Sequence, residues 1–137
     1  MEEFALFTSG LPKFLGYLLV SLALAGAFIV VYLRVTPFNE IELVQGGNLA
    51  AALNLVGAFI GFCIPLASTI AHSMSILDVV IWAVVALVVQ ILAHFACRLL
   101  VPGLVQLIEE KANVAAGALG GGLAMGIGIL NSACLTY

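Results

Sequence analysis

A chain of 137 residues that is 64% hydrophobic and 8% charged cannot cover a water-facing surface, since soluble domains carry about a quarter charged residues. Four Lys and Arg against seven Asp and Glu give a net charge of −3, with no basic stripe to displace counterions, which excludes nucleic acid as a partner. Most of the chain must face lipid, and its length fits four spans of about twenty residues.

The chain opens Met1-Glu2-Glu3, with no basic region before an apolar core and no small-residue cleavage pattern. The first apolar run is therefore expected to stay as an anchor and not to be removed as a signal peptide. Span one is expected from about Phe14 to Leu33, between Pro12-Lys13 and Arg34. Span two runs from near Leu49 to about Ala71 with Pro65 inside it, span three from about Leu77 to Cys97, and span four from about Val114 to Thr136. Unpaired backbone groups are too costly in lipid for open strands, so all four should be helices, and Pro65 predicts a kink in span two.

Between spans two and three, Ser75 followed three residues later by Asp78 matches a capping box that opens span three. The longer links, Pro37 to Gly47 and Pro102 to Lys111, hold most of the mid-chain charge. They carry Arg34, Arg98 and Lys111 against Lys13 alone on the other side, which predicts cytoplasmic links and both termini outside the cytoplasm.

Shifted against itself by 64 to 65 residues, the chain aligns Arg34 with Arg98, Asn48 with Asn113, Gly57 with Gly122 and Gly61 with Gly126. Ten residues separate Pro37 from Asn48 and Pro102 from Asn113. The expected fold is therefore an all-α integral membrane protein of four transmembrane helices, built as two tandem parallel-repeat hairpins. One transmembrane domain covers residues 1–137, with repeat units at 14–71 and 77–136. In each link the proline would open a short interfacial helix, with Phe38, Ile41 and Val44, or Leu104, Leu107 and Ile108, on one face. Asn48 and Asn113 would cap spans two and four by accepting from free backbone N–H groups.

Small residues recur on one stripe of span two, including Ala50, Asn54, Gly57 and Gly61, and on span four, including Gly117, Gly121, Ala124, Gly128 and Asn131. Gly57/Gly61, Gly117/Gly121 and Gly122/Gly126 are each spaced for close helix approach, within the chain or to a second copy. Span three sets Ala83, Ala86, Gln90, His94 and Cys97 on one side. With Asn54 and Asn131, Gln90 and His94 make a polar intramembrane stripe that should face protein or water. As a function, Gln90, His94 and Asn131 would line a proton or ion path; as structure, they would bond one another or a backbone carbonyl.

Cys63, Cys97 and Cys134 all lie in apolar runs without the close Cys/His spacing of a metal site, and read as free packing thiols. Gly120-Gly121-Gly122 lies inside a span without a Lys-Ser or Lys-Thr pair, so it reads as packing and not as a phosphate loop. Glu40, Glu42, Glu109 and Glu110 are expected on solvated link faces. No catalytic set shares a region of the membrane, so no enzyme, metal or cofactor is expected.

The set Thr36-Pro37, Glu40, Gly47-Asn48, Ala50-Ala51, Gly61, Pro65-Leu66, Asp78, Trp82, Gln90, Arg98, Asn113, Ala115-Ala116 and Asn131 to Cys134 resembles the YjfL-type family of small bacterial inner-membrane proteins. The resemblance spans nearly the whole chain. It implies an inner-membrane location and a link to envelope or membrane-stress systems, and it carries no catalytic residue across; His94 is not part of its pattern. The expected function is a non-enzymatic membrane module that self-associates and presents its links to cytoplasmic or membrane partners, with lipid around it. The alternative is a subunit of an oligomeric channel for protons, ions or a small solute.

Overall fold

A computed structural model describes residues 1–135 as six helices: α1 (Glu2–Val35), α2 (Glu40–Gln45), α3 (Leu49–His72), α4 (Ile76–Leu100), α5 (Leu104–Glu109) and α6 (Val114–Cys134). Among the described residues there is no strand. Helices α1, α3, α4 and α6 are long and apolar enough to cross a membrane. Thr136, where span four and the second repeat unit were expected to end, lies outside the described residues.

Helix α1 is longer than the expected first span. It begins at Glu2 and continues through Pro12 for 34 residues, about 51 Å at 1.5 Å per residue. Pro12 removes a single backbone donor, and the turn before it is supported by Thr8 and Ser9 hydroxyls donating to the carbonyls of Ala5 and Leu6. Residues 1–15 are exposed, and within α1 only Phe28 and Tyr32 are fully buried.

The core of the bundle is the pairing of α3 with α6. Ala50 meets Gly117, Leu53 and Gly57 meet Gly121, and Gly61 meets Ala124 and Gly128, so the two helices run parallel. Their backbones touch: a Cβ on Gly57 would run into Gly121 Cα, and one on Gly128 into the Gly61 carbonyl oxygen. Lipid tails are as apolar as leucine, so helices in a bilayer gain little by hiding side chains from them; close backbone packing supplies the attraction instead. Gly120 leaves space for the Asn54 amide, whose oxygen would collide with a Cβ there.

Both links repeat one local device. Each holds a six-residue helix, then a residue with positive φ, Gly47 at 85° or Ala112 at 47°, then an asparagine cap. Asn48 accepts from Ala51 N at 3.0 Å and Asn113 from Ala116 N at 3.2 Å. Asn48 also donates through Nδ2 to the Ile108 carbonyl at 2.8 Å, tying the first link to the second. The prolines do not open these helices. Pro37 and Pro102 stand ahead of the caps Asn39 and Gly103; in the first link Asn39 supplies an acceptor to Glu42 N that proline lacks.

At the short turn, Ser75 Oγ accepts from Asp78 N at 3.2 Å. The reciprocal half of the expected capping box is not made, since Ser75 N donates to Ser73 Oγ and Asp78 instead accepts from the Ser73 hydroxyl at 3.0 Å.

The packing separates the glycines into two groups, because Gly122 and Gly126 have no atom within 4 Å of a built Cβ. Gly57→Ala and Gly121→Ala should each lose about 1–3 kcal/mol through overpacking. Gly122→Ala and Gly126→Ala should stay within about 0.5 kcal/mol. Thermal unfolding in mild detergent distinguishes them, and equal losses across the four variants would contradict the α3–α6 contact.

Candidate functional site

Pro65 has no N–H, so the helix cannot satisfy the Gly61 carbonyl in the ordinary way. Gln90 of α4 supplies the missing donor. Its Nε2 donates to Gly61 O at 3.2 Å and to Ala124 O at 3.2 Å, so one amide pins α4 to both members of the α3–α6 pair. The close approach at Gly61 makes this reach possible, since the Gln90 nitrogen lies 3.0 Å from where a Cβ would be. The residue is 1% exposed.

Asn54 ties α3 to α1, donating through Nδ2 to the Tyr32 hydroxyl at 3.1 Å. The Tyr32 ring lies 5.6 Å from Phe28, which stacks on Phe62 at 4.6 Å, and it meets the edge of His94 at 5.5 Å. Tyr32, Asn54, Gln90, His94 and Cys97 line a cavity of about 10 Å³, close to the space of one water molecule. Gln90 Oε1 and His94 Nε2 are buried there without a hydrogen-bond partner. The touching backbones of α3 and α6 leave no room for a pore between those two helices.

Of the expected polar stripe, Asn54, Gln90 and His94 come together. Asn131 does not join them: it sits seven residues past Ala124 on α6, about 10 Å along the axis, with a buried, unpartnered Nδ2 of its own. Gly57, Gly61, Gly117 and Gly121 form the α3–α6 contact. Gly122 and Gly126 face outward, in a groove also lined by Leu123, Ile127, Ile129 and Leu130. Pro65 is buried within α3, and Cys63, Cys97 and Cys134 are free thiols.

Two residues of the site were not expected. Tyr32 reads as one more apolar residue of span one, and only its tertiary partners Asn54 and His94 give it a role. Glu40 requires a correction. Its sequence context predicts a solvated face, but it is 0% exposed, and both of its carboxyl oxygens lack a partner. The expected apolar face of Phe38, Ile41 and Val44 assumed a helix starting at Pro37. The helix starts instead at Glu40, after the Asn39 cap, so Phe38 and Glu40 turn inward while Ile41 and Val44 are exposed. Burial pushes the Glu40 carboxyl up to about 8.

The Gln90 contact generates a coupled prediction. Gln90→Leu strands the Gly61 carbonyl and should cost about 1–3 kcal/mol. In a Pro65→Ala background, residue 65 regains its N–H, so the same change should cost at least about 0.5 kcal/mol less. Additive losses in a double-mutant cycle of thermal stability would show that Gln90 does not replace the missing donor.

The chain matches the family model described as Domain of Unknown Function (DUF350) over residues 5–135. It is 37% identical over 127 residues to the UPF0719 inner membrane protein YjfL of Escherichia coli strain K12, across 93% of this chain and 96% of that protein. The same values hold for the protein of that name in Escherichia coli O157:H7. No solved structure matches. Similarity along almost the full length, together with four apolar helices of spanning length, makes this a multi-pass inner-membrane protein that belongs to the DUF350 family.

Proposed function

We propose that the chain is a non-enzymatic membrane module that self-associates through the outer face of α6. The observation that carries this reading is the division among the glycines. The α3–α6 contact uses Gly57, Gly61, Gly117 and Gly121, whereas Gly122 and Gly126 open a groove on the outside of the bundle. Small residues four apart admit the close approach of another helix, and a second copy brings the same face.

In this reading the chain is two tandem hairpins of one orientation, supported by the parallel course of α3 and α6 and by the shared cap geometry of the links. The links lie at the cytoplasmic interface, where the exposed Ile41 and Val44 rest on lipid and the polar residues meet partner proteins. Both termini are then outside. In this reading the module serves envelope or membrane-stress responses, the link that the family resemblance implies.

A second reading, an oligomeric channel, draws on the buried and unpartnered Gln90 Oε1 and His94 Nε2. Any such path needs several copies, since four closely packed helices do not enclose one.

The native mass of the complex in mild detergent, with bound lipid retained, tests self-association. We expect more than one copy, and a lower mass for Gly122→Leu with Gly126→Leu at unchanged thermal stability. A monomeric parent, or an unchanged mass in the double variant, overturns this use of the face. Flux in proteoliposomes that is lost on Gln90→Leu would favour the channel. For orientation, a single cysteine at Gln45 in a background free of native cysteines should resist membrane-impermeant maleimide in intact cells, and labelling from outside would reverse the topology.

A further inference from the structure

Glu40 has no role in the self-association just described, yet it is the most anomalous side chain in the molecule. It is wholly buried at the start of α2, with neither carboxyl oxygen hydrogen-bonded. An ionised carboxylate cannot remain in such a place without a counter-charge or donors. The neighbouring elements supply none.

From α1 comes Tyr32, whose hydroxyl accepts from Asn54 Nδ2. From α4 come Cys97 and His94, with the Arg98 guanidinium drawn aside over the Phe95 ring at 5.8 Å. The first half of α3 carries no titratable side chain, α5 carries only the exposed Glu109, and α6 has none before Cys134. Arg34 and Lys111 are exposed. Among the described residues, nothing balances a negative charge on Glu40.

We propose that Glu40 is a proton-binding site that latches the first link onto the bundle. As a neutral acid it stays docked in its buried place against the bundle. When it gives its proton to water, the carboxylate must leave its buried place, and α2 lifts with it, because Glu40 is the first residue of that helix. Beneath the link lies an apolar cluster that includes Phe38, Ala50, Ala51, Cys97, Leu104 and Ile108. Opening the latch therefore uncovers apolar surface and the Cys97 thiol on the side that carries both links.

The direction with pH follows from proton counting. Between the ordinary carboxylate value of 4.5 and about 8, the docked form holds a proton that the released form does not. Docking weakens about tenfold for each pH unit across that window and is constant below it. The latch is closed in acid and opens as the pH rises.

Two measurements on the reconstituted full chain test this. Infrared spectra at pH 6 should contain a protonated-carboxyl stretch that disappears at pH 9 and is missing from Glu40→Gln at both. No such band at pH 6, or one that persists in Glu40→Gln, overturns the proposal. The second measurement uses maleimide modification of Cys97 in a Cys63→Ser, Cys134→Ser background, taking the rate with Glu40 relative to the rate with Glu40→Gln at each pH. Since glutamine keeps the neutral shape and the ratio cancels the thiol's own ionisation, the ratio should rise at least about tenfold from pH 6 to pH 9. A constant ratio would show that Glu40 does not hold the link down, even where the infrared band behaves as expected.

Discussion

One unmet carbonyl organises the bundle. Pro65 deprives the Gly61 oxygen of its helical donor, and in lipid no water can replace it. The Gln90 amide does so, and the same nitrogen also reaches Ala124 O on α6. This contact holds α4 in the groove of the α3–α6 pair. It requires Gly61, because a side chain there would separate the backbones and push the amide away. Proline, glycine and glutamine, which look unrelated along the chain, thus form a single structural unit.

Around that unit the polar groups of the bundle are distributed unevenly. Asn54 and Tyr32 satisfy each other, and Thr69 donates to the Pro65 carbonyl at 2.8 Å, so each adds a tie between helices or within α3. Gln90 Oε1, His94 Nε2 and the Glu40 carboxyl remain without partners. All three belong to residues on the link side of the bundle or at its middle. Toward the opposite end, where the Ser73, Ser75 and Asp78 turn lies, Ser68 Oγ and Asn131 Nδ2 are buried without partners as well.

The family relationship fits this picture without adding a reaction to it. The relatives are named only as inner membrane proteins. A module of two parallel helices clasped by glycine, with a peripheral α1, presents two distinct surfaces: the outer groove of α6 and the underside of the links. In the proposals made above, the first serves self-association and the second the response to pH.

Much of the fold was legible from residue order alone. Hydropathy and the cost of unpaired backbone in lipid gave four helices, and the apolar runs located spans two to four closely, since a span must match a hydrocarbon thickness. The asparagine caps were readable too, because an N-terminal acceptor acts within three residues. The start of α1 was not, as one proline weighs less than the continuous apolar face on either side. Which glycines meet inside the chain, which residue replaces the donor lost at Pro65, and which link acid is buried were decided only by tertiary structure. Gly57 and Gly122 align when the chain is shifted against itself by 65 residues, yet one touches Gly121 and the other faces outward. Repeat spacing cannot separate them, because the rotation of each helix about its axis is set by the neighbours it packs against. Glu40 is the sharpest case: its sequence context is that of a solvated link, and only the helix start fixed by Asn39 turns it inward.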